Sequence, residues 1–470
     1  MIRFFLLFFD TIQIKGVAFL TKQHRYLPTT EQDRREMLDT IGVSSIKDLF
    51  KDIPESTRAT KDKAIALEDP LSEQALVRQM KELAGQNVTT DSHAYFLGAG
   101  VYDHYAPSIV NHVILRSEFM TAYTPYQPEA SQGELQALFE FQTMMCELTG
   151  MDVANSSLYD GFTSLGEACN LAVSATKKQE ILYSKALHPQ AKEVIGTYAY
   201  GMEYSVNEIG LNGTRTDMEA LKAGISDETA AVIIQYPNFF GTVEDLKEIN
   251  ALMEASKGLL IVMSNPLSLG VLESPGKLGA DIVVGDTQPF GLPMSFGGPH
   301  CGYFAVKKKY MRKIPSRIVG QTVDADGQRG FVMTLQTREQ HIRREKATSN
   351  MSSNQALFAL ATSVFLAALG KVGVQEMAAQ NISHAHYLKN QLKQKGLTVL
   401  SEDDFFNEFV VQLDRPVAEI TEQLLEEGIV AGLDVSEELG WTNAMLLCAT
   451  EKRTKEEMDK LVSLLTGEDK

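Results

Sequence analysis

Apolar positions recur along this chain with two different periods, and the change of period organises it. Between about residue 30 and residue 88 the spacing is helical. Thr30 precedes Glu31, Gln32 and Asp33 as a capping residue would, and Ile41-Gly42 closes that helix. Ile46, Leu49 and Phe50 give a second short apolar face, and Pro54 and Pro70 punctuate the segment. The stretches 98–107 and 121–133 mix glycine, proline, aromatic and polar residues with little periodicity and predict loops. A stripe of Leu135, Leu138, Phe139, Met145 and Leu148 then predicts a helix. Beyond it, apolar β-branched runs at 180–183, 230–236, 259–263, 281–284 and 302–306 are interspersed with helical stretches such as 243–256. Continuous apolar runs of this kind predict a mainly parallel sheet covered by helices on both faces.

An alanine-rich segment at 354–368 predicts a long helix, and past Gly370 the pattern becomes a small α+β unit. Helices near 382–394, 417–427 and 454–465 are interleaved there with strands near 397–400, 408–413 and 444–449. The expected organisation is therefore 1–20 as a mis-called start or disordered lead, 21–90 as a helical segment, 91–352 as a large α/β domain, and 353–470 as a helix with a small C-terminal α+β domain.

Composition narrows the function classes. The 470 residues carry a formal charge of −17, which argues against a general nucleic-acid binder, since that needs a basic footprint. Cys146, Cys169, Cys301 and Cys448 have neither metal-ligand nor redox-motif spacing and read as reduced, packed thiols of a cytoplasmic protein. The apolar run at 4–9 is ended by Asp10 and followed by no small-residue cleavage site; it is short for a signal core and far too short to span a bilayer. Thr21-Lys-Gln-His-Arg-Tyr-Leu-Pro28 reads like a natural beginning. Translation is expected to start at position 20, with Leu20 as a leucine-type initiation codon, and the intact mass of the native protein decides it.

Several long strings have unusual composition. They include Tyr102-Asp-His-Tyr-Ala-Pro107, Glu118-Phe-Met-Thr-Ala-Tyr-Thr-Pro-Tyr-Gln-Pro-Glu-Ala-Ser-Gln-Gly133, Ser264-Asn-Pro-Leu-Ser-Leu-Gly-Val-Leu272, Gly285-Asp-Thr-Gln-Pro-Phe-Gly291, Phe296-Gly-Gly-Pro-His-Cys-Gly-Tyr303 and Arg338-Glu-Gln-His-Ile-Arg-Arg-Glu-Lys-Ala-Thr-Ser-Asn350. Together, over roughly residues 22 to 465, the chain resembles glycine dehydrogenase (decarboxylating), the P-protein of the glycine cleavage system. The motifs belong to the amino-terminal half of that family, which in some bacteria is a separate chain, subunit 1 or α. A chain ending at residue 470 fits the split form.

The resemblance implies the fold of the type-I pyridoxal-phosphate (PLP) dependent transferases. It also implies a partner, subunit 2 or β, that bears the PLP, a lipoylated H-protein as co-substrate, and an α2β2 heterotetramer. A PLP enzyme needs a lysine to hold the aldehyde, an acid at the pyridine nitrogen and a helix N-terminus for the phosphate. No lysine occurs between Lys277 and Lys307, and Gln288 and Pro289 stand where the active half of the family has its His-Lys pair. Asn265 stands where the pyridine acid would lie, with Asp286 the nearby acid at a different strand end. The turn at Gly161, Thr163 and Ser164 persists, either as an N-capped helix or as a relic of the phosphate cradle. The chain is expected to hold no PLP covalently, and no metal.

Other residues can contribute to a partner's site. Tyr123, Tyr126 and Gln127 offer hydrogen bonds to a carboxylate or cofactor adduct, or else build a subunit interface. Arg344 belongs to a basic segment with Arg338, Arg343 and Lys346 that either grips carboxylates or forms a solvated helix face. Asp103 beside His104 is an acid–base pair or a satisfied structural histidine, and His188 reads as structural. The implied function is the non-PLP subunit of glycine decarboxylase. With subunit 2 it decarboxylates glycine, releases CO2 and passes the aminomethyl group to the lipoyl group of H-protein. The alternatives are a non-catalytic scaffold of that complex, or a self-sufficient PLP enzyme using an unexpected lysine.

Overall fold

The computed structural model describes residues 26–54, 56–57, 71–347, 349–351, 354–401 and 404–467. The expected start at position 20 lies outside these. By contacts the chain divides into Met1–Asn87 and Val88–Lys470. In the first unit, α1 (Glu31–Ile41) begins at Thr30 and ends at Gly42 in the left-handed region. Thr30 and Asp33 close a reciprocal capping box there. A 3-10 turn covers Ile46–Phe50, and α2 (Glu73–Ala84) is capped by Ser72.

In the second unit the apolar runs form one seven-stranded sheet. Its strands are β1 (Val153–Ala154), β2 (Glu180–Ser184), β3 (Ser205–Ile209), β4 (Thr229–Tyr236), β5 (Leu259–Ser264), β6 (Ile282–Asp286) and β7 (Gly302–Val306). The spatial order is β1-β7-β6-β5-β4-β2-β3. β2 to β6 run parallel, and β7 is antiparallel to both its neighbours. Side chains alternate between two cores. Val232, Ile234, Leu260, Val262 and Val283 face one; Ala231, Ile233, Leu259, Ile261, Ile282 and Val284 face the other. With both faces buried, a strand has no polar alternation to show, and each fully covered Val, Leu or Ile contributes about 1.5–3 kcal/mol. Helix α3 (Gln132–Thr149) covers the first face through Leu135, Leu138, Phe141 and Met145. Helix α4 (Gly161–Thr176) covers the second through Leu165, Ala168, Cys169 and Leu171. Helices α5 (Pro189–Met202) and α6 (Leu246–Ser256) fill crossovers between parallel strands.

A hairpin of β8 (Ile318–Val323) and β9 (Arg329–Thr334) precedes the long helix α7 (Ala356–Gln394), which is interrupted at Gly370. By length and apolarity α7 could cross a membrane. However, Ala359, Phe365, Val374 and Met377 lie in the first core of the large sheet, and Ala385, Leu388 and Leu392 lie in the core of the small domain. That domain is a four-stranded antiparallel sheet, β10 (Thr398–Val399), β11 (Glu408–Gln412), β12 (Leu433–Asp434) and β13 (Ala444–Cys448), ordered β10-β11-β13-β12. Helices α8 (Val417–Glu426) and α9 (Lys455–Thr466) pack on it. A large, mainly parallel domain with a small C-terminal α+β domain is the expected fold class.

Three features depart from the sequence reading. The loop region contains short helices at Ser108–Ile114 and Ser117–Met120, too brief for a period to stand out. The edge strand β3 buries Ile209 alone. The outer residues of the β8/β9 hairpin are exposed, so its apolar pattern is diluted.

Candidate active site

A cavity of about 1440 Å³ opens at the carboxyl ends of β5 and β6, beside the N-terminus of α4, the place where open α/β sheets bind ligands. Close approach there depends on small residues. A Cβ on Gly302 would lie 2.2 Å from the Asp160 carbonyl oxygen, and one on Gly161 would lie 3.0 Å from the backbone of Gly285. Asp160 caps α4, accepting from the Thr163 N–H at 2.7 Å and the Thr163 hydroxyl at 2.7 Å. The Ser164 hydroxyl donates to the Asp160 carbonyl at 2.7 Å. Both hydroxyls are therefore turned into the helix cap, and neither Thr163 nor Ser164 lines the cavity, whereas Asp160, Gly161 and Phe162 do. The Gly161 N–H points at Asp286 Oδ2, 3.2 Å away, while Asp286 Oδ1 accepts from Gln288 N–H at 2.8 Å. Burial, and to a lesser degree the neighbouring Asp160, push the Asp286 carboxyl up to about 7 against the backbone N–H groups of Gln288, Gly161 and Cys301.

Asn265 lines the cavity, and its Oδ1 accepts from Leu267 N–H at 3.1 Å. Pro289 lines it as well, but Gln288 turns away. The Gln288 amide accepts from Tyr102 N–H at 3.0 Å and donates to the carbonyls of Tyr102 at 2.8 Å and Leu292 at 3.1 Å. Lys277 pairs with Glu273 and Lys307 with Asp281, each at 3.1 Å, and neither lines the cavity. Among the described residues the cavity wall holds no lysine and no arginine. The residues present therefore do not fit PLP. An amine for the aldehyde is missing, a neutral amide stands at the pyridine position, and two carboxyl groups face the helix end a phosphate would use.

His188 sits on the wall between Phe162 and Phe239, with ring centroids 4.7 and 4.9 Å away. Its Nε2 is 3.0 Å from the Ala99 carbonyl, and burial pushes its pKa down to about 4, so it is neutral. Asp103 and His104 do not pair with one another. Asp103 meets Arg453 at 2.8 Å and Lys452 at 2.6 Å, and His104 meets Glu451 at 2.8 Å. These are buried structural links, so the acid–base reading of that motif is set aside. Among the described residues no group of three or more His, Cys, Asp or Glu is arranged to hold a metal.

The remaining predicted contributors lie on an outer face. Tyr123 is 83% exposed and Tyr126 51% exposed, and Gln127 and Arg344 are exposed too. Sequence reading missed what organises this face. Arg317, only 6% exposed, donates to the Tyr126 hydroxyl at 3.2 Å and lies 5.5 Å from its ring centroid. His341 meets the same ring edge-on at 6.3 Å. Arg338 is not part of a surface patch, because its guanidinium donates to the carbonyls of Ile314, Ser316 and Leu335. Residues 340–346 form two short turns, not a continuous helix face.

The family described as Glycine cleavage system P-protein matches residues 24–465. The chain belongs to the glycine cleavage P-protein family. It is 59% identical over 445 residues to the probable glycine dehydrogenase (decarboxylating) subunit 1 of Brevibacillus brevis, covering 94% of this chain and 98% of that one. Its identity to the protein of the same name in Listeria monocytogenes serotype 4b is 58%, covering 95% and 99%. A crystal structure of glycine decarboxylase (P-protein) of the glycine cleavage system, in inhibitor-bound form, matches with a TM-score of 0.86 and 40% identity, covering 94% of this chain and 99% of that one. A NifS-like protein matches at a TM-score of 0.59 and 13% identity, covering 80% of this chain and 98% of that one, a likeness of fold alone. The P-protein family read from the motifs is thus the family of the chain.

Proposed function

We propose that this P-protein chain is the subunit of a two-chain glycine decarboxylase that carries no cofactor of its own. The observation that supports this most is that the cavity wall, among the described residues, carries no lysine or arginine in a fold of this type. On this reading the PLP belongs to subunit 2, and the two chains form an α2β2 heterotetramer in the cytoplasm. Together they release CO2 from glycine and transfer the aminomethyl group to the lipoyl group of H-protein. This chain then acts through its surface: the loop of Tyr123, Tyr126 and Gln127, with Arg344 on the neighbouring segment, completes the partner's pocket and the lipoyl entrance. The naming of its relatives as subunit 1 supports the existence of a partner.

Co-expression with subunit 2 tests the reading, with glycine–bicarbonate exchange measured for each chain alone and for the pair. Exchange is expected only when subunit 2 is present and to be full only with both. CO2 release from glycine by this chain alone would overturn it.

A further inference from the structure

The cavity that does not fit PLP keeps two neutral hydrogen-bond donors at adjacent strand ends. Gln235 stands near the end of β4 and Asn265 just past the end of β5, and these strands pair with one another. Both side chains line the cavity. Each spends its oxygen on a backbone N–H: Gln235 Oε1 accepts from His188 at 2.9 Å, and Asn265 Oδ1 accepts from Leu267 at 3.1 Å. Those bonds fix the sense of both amides, because a flipped amide would set an NH2 group against a donor. Gln235 Nε2 and Asn265 Nδ2 are then left without a partner among the described residues, and neither is sealed from solvent. Two amide NH2 groups on one wall suit a single carbonyl oxygen, which has two lone pairs to offer.

The rest of the wall says what that carbonyl belongs to. Asp286 and Asp160 give oxygens to donors of the protein itself. Among the described residues no lysine or arginine lines the cavity, so an anionic guest would find acids and no cation. Phe162 and Phe239 flank the neutral His188 ring and supply an aromatic surface. Leu97, Leu425, Val430 and Leu433 belong both to this cavity and to an adjoining groove of about 540 Å³. The groove continues the apolar surface along α8 through Val417 and Ala418, with Ile429 opposite. Pockets of mostly apolar lining use a few placed polar groups to orient a guest, and here those groups carry no charge.

We propose that the cavity binds an uncharged acyl amide with an apolar chain, its carbonyl oxygen accepting from Gln235 Nε2 and Asn265 Nδ2 and its chain lying on Leu97, Val430 and Leu433 toward the groove. This goes beyond the decarboxylase reading and does not depend on it.

Titration calorimetry on the full chain tests it, with octanamide as the probe and butanamide, octanoate and octylammonium as comparisons. Octanamide is expected to bind one per chain. It should bind at least about tenfold more tightly than butanamide, since four further methylenes leave water. It should also exceed octanoate and octylammonium by at least about tenfold, because neither charged end finds a paired counter-charge in place of water. Asn265→Asp keeps an oxygen for the Leu267 N–H but exchanges the donor for an acceptor, and should weaken octanamide by about tenfold. Absence of saturable octanamide binding, equal or tighter binding of either charged analogue, no gain from butanamide to octanamide, or an unchanged affinity in Asn265→Asp would overturn the proposal. The four-ligand comparison on the unaltered chain needs no variant to fold.

Discussion

Replacing Glu408 by glutamine should make the protein more stable at alkaline pH and leave it unchanged in acid. Glu408 is 6% exposed on β11 and accepts from Ala99 N–H at 2.7 Å and the Tyr102 hydroxyl at 2.9 Å. Burial raises its carboxyl from 4.5 to about 7 against those two donors. A rise of that size costs the ionised form roughly 3 kcal/mol. The sign follows from proton counting. Between pH 4.5 and 7 the folded chain keeps a proton that the unfolded chain has lost, so stability falls as pH rises through that window. Glutamine resembles the protonated acid: one oxygen still accepts from Ala99, and the amide can donate to Tyr102. The variant should match the parent near pH 4.5 and exceed it by about 3 kcal/mol at pH 8. Asp286, also raised to about 7, adds the same slope to both proteins and cancels in the difference. Urea unfolding at several pH values, followed by the fluorescence of the single tryptophan, Trp441, measures this. A stability difference that does not change with pH would refute the reasoning.

Two further substitutions probe the links around the same turn. Gln288→Met keeps the side-chain shape but leaves Tyr102 N–H and the carbonyls of Tyr102 and Leu292 without their partner; about 3 kcal/mol of local stability should be lost, seen as roughly hundredfold faster hydrogen exchange at the Tyr102 amide. Exchange at the parent rate would show that the amide does not hold this turn. Asp103→Asn removes the nearer carboxylate from Arg453, whose side chain is 3% exposed and which keeps Glu457 at 3.5 Å, and should cost about 3 kcal/mol in urea unfolding, the low end for a broken buried pair. An unchanged midpoint would mean that Lys452 and Arg453 find other partners.

The parallel sheet was legible because β4, β5 and β6 are covered on both faces and so read as unbroken apolar runs. Helix α1 was legible to the residue at both ends, since Thr30 and Gly42 carry capping chemistry in their identities. The edge strand β3 was not, because most of its side chains meet solvent. The missing lysine could be read from the chain, but the direction of Gln288 could not: a strand-end residue can face the cavity or the Tyr102 turn. Glu408 escaped notice for a different reason. It serves Ala99 across a separation of 309 residues, and nothing local announces a contact of that range. The same holds for Arg317 and Tyr126, which are 191 residues apart.

A side chain that serves the chemistry of another subunit has to meet two opposed demands. It must be exposed in its own chain, and it must already be held in place, because ordering a mobile side chain at an interface costs about 0.5–1.5 kcal/mol. Tyr126 meets both, with half its surface free and its hydroxyl held by a nearly buried guanidinium. Tyr123, at 83% exposure, meets the first more fully. If the proposed surface role is right, the two tyrosines divide the work. Tyr126→Phe removes the group that Arg317 orients and should lower kcat of the reconstituted complex, whereas Tyr123→Phe keeps the ring that an interface needs and should leave assembly intact. Equal, negligible effects of both on glycine–bicarbonate exchange, with normal assembly, would instead favour a scaffold whose loops never approach the reacting atoms.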